Sequence, residues 1–124
     1  MKKTGDKDEK LVVIDVDNTL LMWRGNYEES GKNKVKIVDP LDNKIYYLYP
    51  NKENIRLVQH FYNRDYYVIV HSASGGRWAK AAVKALNLED YVHDTQAKPL
   101  KYVDDLDASE WMGNRVYIDY EEEK

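Results

Sequence analysis

At 124 residues, with a net charge of −3, 43% hydrophobic residues and no cysteine, the chain has room for one globular domain that buries about two thirds of its unfolded surface. This composition excludes a disordered segment, a disulfide framework, a thiolate zinc site and a thiol nucleophile, and without a broad basic field there is no electrostatic case for wrapping nucleic acid. No apolar run approaches membrane-spanning length and the polar tail 1–9 lacks a signal-peptide core, so a cytoplasmic protein without membrane contact is expected.

In chain order, Leu11-Val12-Val13-Ile14 is a continuous apolar run ending in Asp15 and Asp17. Such a run suits a strand buried on both faces in a parallel sheet, with Asp15 at the carboxyl end where open α/β sheets place ligands. Two carboxylates this close repel each other unless a cation holds them, so the pair calls for a metal. The stretch 22–33 is polar and reads as loop. Two β-prone runs, 35–38 and 45–49, flank Asp39-Pro40-Leu41-Asp42-Asn43 and predict a hairpin. Asn51 is placed to cap a helix over 52–63, whose apolar face is Ile55, Leu57, Val58, Phe61 and Tyr62. The run 66–71 is a second strong strand, ending in Ser72-Ala73-Ser74-Gly75-Gly76, small residues that let backbone approach a ligand. A helix over 77–86 follows, capped by Ser74 or Gly75, with Trp78, Ala81, Ala82, Ala85 and Leu86 toward the sheet. Short strands are expected at 91–93, at 101–103 before Asp104-Asp105, and at 115–118, with one helical turn at 107–111.

Strands alternating with helices imply right-handed βαβ units and a parallel sheet. The expected fold is α/β: a three-layer α/β/α sandwich forming a single domain over 1–124, in which the loop and hairpin of 22–49 project as a flap over the strand ends near Asp15.

Asp15-Val16-Asp17-Asn18-Thr19-Leu20 resembles motif I of the haloacid dehalogenase (HAD) superfamily, D-x-D-x-T-[LV]. Ser72 after the second strand is similar to motif II, Lys98 in Ala97-Lys98-Pro99 to motif III, and Asp104-Asp105 to the acidic pair of motif IV. The four pieces occur in order and span almost the whole chain. The resemblance implies a Rossmann-like sheet and a Mg²⁺-dependent phosphomonoester hydrolase working through an aspartyl-phosphate. It makes Asp15 nucleophile and metal ligand, and Asp17 a carbonyl ligand whose side chain is the acid/base. Asp105 becomes a direct metal ligand, with Asp104 orienting waters or pairing with Lys98. Ser72 and the backbone N–H groups of Val16 and Ala73 would hold phosphoryl oxygens. Lys98 would neutralise charge on Asp15 and on the transferred group, and Thr19 would brace the loop. The chemistry agrees, because a phosphomonoester carries about two negative charges and repels a carboxylate unless cations intervene.

Lys101 is the alternative to Lys98, and Asp107 an alternative to one acid of the pair. His71, His60 and His93 read as locally hydrogen-bonded or edge residues. With only the 22–49 insertion available as a cap, the chain resembles minimal-cap members of the superfamily, whose open sites favour large phosphoesters. Trp23, Arg24 and Tyr27 then either contact a leaving group or pack under the hairpin. The partner expected is a phosphorylated small molecule or macromolecule. A nucleic-acid 3′-phosphate is a possible substrate that the charge does not indicate. The alternatives are a phosphotransferase or polynucleotide 3′-phosphatase of the same superfamily, and a non-catalytic phosphate-binding module.

Overall fold

The computed structural model of the chain describes residues 6–23 and 34–116. Three parallel strands form the main sheet: β1 (Asp6–Asp15), β5 (Tyr66–Ser72) and β6 (Asp94–Ala97), in the order β1-β5-β6. Leu11, Val12, Val13, Ile14 and Asp15 of β1 pair in register with residues 67–71 of β5, which sets Asp15 opposite His71. The strand β6 continues from Ile69↔Asp94 to Ser72↔Ala97. Asp15, Ser72 and Ala97 therefore finish at one end of the sheet.

Both crossover helices contribute to one hydrophobic cluster. The helix α1 (Lys52–Asn63) brings Val58 and Tyr62, and α2 (Gly76–Ala85) brings Trp78, Ala79, Ala82 and Val83. They meet Val68 and Val70 of β5, with Val12 and Ile14 of β1 packed against the same cluster. Alternate residues of a strand face opposite ways, so this is one face of the sheet. On the other face Leu11 and Val13 are 54% and 43% exposed. The expectation of a first strand buried on both faces is thus corrected. In the described residues β1 is an edge strand, and an edge strand with one helix-covered face buries only alternate side chains.

Asn51 caps α1 as its sequence suggests, accepting from Asn54 N at 3.2 Å. The predicted hairpin is present as β3 (Val35–Val38) and β4 (Ile45–Pro50), antiparallel from Val35↔Leu48 to Val38↔Ile45. Asn43 takes a positive φ of 62° in its turn, a conformation asparagine tolerates. A two-residue strand, β2 (Leu21–Met22), joins β4 at Pro50 and Tyr49 and completes a second, antiparallel sheet. Through β2 the hairpin is fastened to the loop that follows Asp15.

The last third departs further from expectation. The strand expected at 91–93 is instead a 3₁₀ turn at Glu89–Tyr91 followed by β6. No strand forms at 101–103, where the chain is exposed and irregular. Tyr102-Val103 is too short a run, between Pro99 and the Asp104-Asp105 pair, to define a buried face. The helical turn is found as α3 (Ala108–Trp111), capped by Asp107 in a reciprocal box with Glu110. Residues 115 and 116 are irregular. The remainder of the expected last strand, and Arg24 and Tyr27, lie outside the described residues. Among the described residues no helix is long and apolar enough to cross a membrane.

Candidate active site

The loop after β1 is wound tightly on Val16. The Val16 carbonyl accepts from the backbone N–H groups of Thr19, Leu20 and Leu21, at 3.1, 2.8 and 3.1 Å. Asn18 makes the winding possible with a φ of 59°, and its side-chain oxygen accepts from Trp23 N at 3.1 Å. Leu20, Leu21 and Met22 are fully buried below. Asn54 of α1 donates to the Thr19 carbonyl at 2.7 Å. The loop is therefore held from inside by its own backbone and from outside by the first helix.

This winding directs the two acids differently. Asp15 accepts from Thr19 Oγ1 at 3.0 Å through one oxygen, and its other oxygen lies 3.0 Å from Lys98 Nζ. Lys98 is delivered by β6, since its backbone N–H donates to the Ser72 carbonyl at 2.9 Å. Asp17 accepts from Ser72 Oγ at 2.9 Å on one oxygen, and from Trp23 Nε1 at 2.9 Å and Trp78 Nε1 at 3.1 Å on the other. Ser72 is fully buried, and its hydroxyl also accepts from Ser74 N at 3.0 Å. Gly75, at a φ of 110°, then turns the chain into α2, which carries Trp78 back over Asp17. Its φ is one that residues with a Cβ rarely adopt.

Sequence-predicted Asp15, Asp17, Thr19, Ser72 and Lys98 are thus brought together by direct contacts. Val16 supplies the buried anchor of the loop, and Ala73 sits exposed beside Ser72. Of the two candidate lysines, Lys98 reaches Asp15, whereas Lys101 lies on the exposed segment. Asp104 and Asp105 are not brought in. Both are exposed, and Asp104 accepts from Leu106 N at 3.0 Å in a local turn. Asp107 serves as the cap of α3 rather than as a ligand. Among the described residues no three His, Cys, Asp or Glu side chains converge as a metal-holding group. Both Asp15 oxygens are engaged by Lys98 and Thr19, and Asp104 and Asp105 stand apart, so in this arrangement the described side chains do not complete an oxygen cage for Mg²⁺.

His71, beside Asp15 in the register, has its Nδ1 buried without a hydrogen-bond partner among the described residues. Burial lowers its pKa, the nearby Lys98 charge lowers it further, and Asp15 opposes both. His93 instead closes the base of β5, where its backbone N–H donates to the Val68 carbonyl and its Nδ1 accepts from Val68 N. His60 is an exposed residue of α1 in contact with the Phe61 ring.

Two participants have no clear signal in the sequence, Trp78 and Asn54, whereas Trp23 stands out as a leaving-group contact or a residue packed under the hairpin. Trp78 reads as a sheet-facing helix residue and is one, yet its indole N–H also reaches Asp17 across 61 positions. Asn54 looks like an ordinary first-turn residue, although its buried amide holds the loop carrying the acids, leaving its own Oδ1 without a partner among the described residues. Comparison of the chain with protein-family models, with curated proteins and with solved structures gave no match.

Proposed function

We propose that this protein is a phosphomonoester hydrolase that works through an aspartyl-phosphate on Asp15. One observation carries the reading: two acids leave the end of one strand with separate partners, a lysine on the first and a serine hydroxyl with two indole N–H groups on the second. Asp15 attacks phosphorus, a bond forms from its carboxylate, and the bond to the ester oxygen breaks. Asp17 delivers a proton to that leaving oxygen and then takes one from the water that cleaves the acyl-phosphate. To do so it exchanges one of its present donors for substrate. Lys98 offsets the charge that accumulates between Asp15 and the phosphoryl oxygens, and Ser72 with the N–H groups of Val16 and Ala73 offers donors for those oxygens.

The HAD-like sheet, a further layer over the bare face of β1 and a flap role for the hairpin belong to the same reading. Magnesium belongs to it too, as a cation that Asp15 would share with Asp104 or Asp105 if that pair moved in. The test is hydrolysis of a generic aryl phosphate, with and without Mg²⁺, by the native chain and by Asp15→Asn. Loss of turnover in the variant by a factor of about 10⁴ or more is expected for removal of a nucleophile. Turnover that survives Asp15→Asn unchanged overturns the mechanism. Phosphate binding without turnover of any ester by the native chain would favour the binding module, the reading that the outlying position of Asp104 and Asp105 supports.

A further inference from the structure

Trp23, Tyr46 and Trp78 form a cluster of rings at the edge of the site. Trp23 and Trp78 stack with centroids 6.3 Å apart and planes 29° apart. Tyr46, from β4, meets both edge-on, at 5.4 and 5.7 Å. The rings differ sharply in access. Trp78 is only 5% exposed, whereas Trp23 is 41% exposed. Packing under the hairpin accounts for Trp78 and Tyr46, whereas Trp23 keeps ring surface open among the described residues. Other large apolar side chains are as exposed, Trp111 included; what sets Trp23 apart is that its ring is fixed by two ring neighbours and by a hydrogen bond to Asp17.

Its location adds the chemistry. Trp23 Nε1 is 2.9 Å from Asp17 Oδ1. Under the proposed function, on which this inference rests, the ester oxygen that departs is the one Asp17 protonates. It must therefore come within hydrogen-bonding distance of the same carboxylate, roughly 3 Å. Whatever that oxygen is attached to then emerges beside the Trp23 ring. We propose that Trp23 is a stacking platform for the leaving group, and that the substrates are phosphomonoesters with a flat aromatic leaving group, the nucleotide class. A quaternary ammonium group is the other ligand that aromatic clusters recognise, but it needs several ring faces turned toward it. Here Trp78 has no face to offer, and a single open ring suits one-sided stacking. Base stacking on an aromatic side chain tolerates any base and needs no basic surface beyond the phosphate site, which agrees with a chain of net charge −3.

The experiment compares kcat/KM for adenosine 5′-monophosphate, glycerol 3-phosphate and phosphocholine in the native chain, Trp23→Leu and Trp23→Phe. The nucleotide should be preferred over glycerol 3-phosphate by roughly five- to a hundredfold. Trp23→Leu should bring that ratio close to one, chiefly through KM, whereas Trp23→Phe should retain much of it. Loss of the indole bond to Asp17 affects every ester alike and cancels in the ratio, which separates stacking from the support of Asp17. The Trp23 indole N–H resonance of the native chain supplies a readout independent of turnover. It should shift further on titration with adenosine 5′-monophosphate than with glycerol 3-phosphate at matched saturation, because ring stacking adds to any change at Asp17, even if no ester is hydrolysed. An equal or greater preference for glycerol 3-phosphate or phosphocholine, a ratio unchanged in Trp23→Leu, or an indole resonance indifferent to the nucleotide overturns the platform.

Discussion

Two stretches of this chain share a pattern, a short β-prone run ending in polar residues, and have opposite fates. The run ending at Ser72 is a central strand with Val68 and Val70 fully buried, and its terminal serine is sealed between Asp17 and Ser74. The run ending at Asp104-Asp105 forms no strand, and its Tyr102 and Val103 are exposed. The first has alternate side chains aimed at two helices and partners along both edges. The second has two apolar residues and a proline three positions before Tyr102. A polar residue at a strand end gains a fixed geometry only where the strand itself is paid for by burial. The difference also divides the proposed chemistry into an assembled half, Asp15 with Asp17, Ser72 and Lys98, and a half that stands apart.

The two lysines separate the assembled half from the half that stands apart. Lys98 reaches Asp15, and Lys101 lies on the exposed segment. If the assembled half carries phosphoryl transfer, Lys98→Met should lower turnover of an aryl phosphate by about 10²-fold or more, the scale seen when a preorganised charge-stabilising donor is removed. Lys101→Met should stay close to the native rate. Equal effects would show that the pairing with Asp15 is incidental. Stability should move little in either variant, because a half-exposed ion pair contributes roughly 0–1 kcal/mol.

A smaller effect is expected at Ser72, read as stability. Ser72→Ala removes a fully buried hydroxyl that donates to Asp17 and accepts from Ser74 N. Leaving buried polar groups unpaired costs about 1–3 kcal/mol, and urea denaturation should show a loss in that range. A loss below about 0.5 kcal/mol would mean that water replaces the hydroxyl and the strand end is looser than its contacts indicate.

Much of the assembled half was legible from sequence, and the reason is local. The helix bounds 52–63 follow from a capping asparagine and an apolar face, both properties of adjacent residues. The hairpin follows from β-prone runs around Asp39-Pro40-Leu41-Asp42-Asn43, and the strand ends at Asp15 and Ser72 follow from abrupt changes in polarity. What was not legible depends on contacts between distant elements. Trp78 reaches Asp17 only because Gly75 turns α2 back over the loop, and Asn54 reaches Thr19 only because α1 lies alongside it. The exposed side of β1 was missed for the same reason: an apolar run shows that a strand forms, but not how many of its faces and edges find neighbours.

His71 offers a test that reads the environment of the assembled half through pH. Burial first, and Lys98 second, lower its folded pKa below the unfolded value of about 6.5. Above that pH the imidazole is neutral in both states and contributes no slope. As pH falls through about 6.5 the unfolded chain takes up the proton first, so stability declines until pH passes the folded pKa. Urea midpoints at pH 7.5 and pH 5.5 should therefore differ more in the native chain than in His71→Gln. Lys98→Met removes one of the two lowering causes and should reduce the difference as well. A steeper acid loss in His71→Gln would reverse the assigned sign.

The smallest expected change in stability falls on the half that stands apart, and it is informative because sequence and geometry disagree there. Asp105 is exposed, and the hydrogen bond to Leu106 N is made by its neighbour Asp104. Surface substitutions away from caps and networks stay within about 0.5 kcal/mol, so Asp105→Asn should leave the urea midpoint unchanged. Its resemblance to a motif IV acid, together with the proposed magnesium requirement, leads to a different expectation for turnover: the Mg²⁺ concentration needed for half-maximal rate should rise. Both outcomes are compatible if the segment closes on Asp15 when cation and substrate arrive, because a contact absent from the unliganded fold contributes nothing to its stability. A variant that is silent in both measurements leaves Asp104-Asp105 as a solvated turn. The charge balance at Asp15 then rests on Lys98, whose ammonium lies 3.0 Å from it.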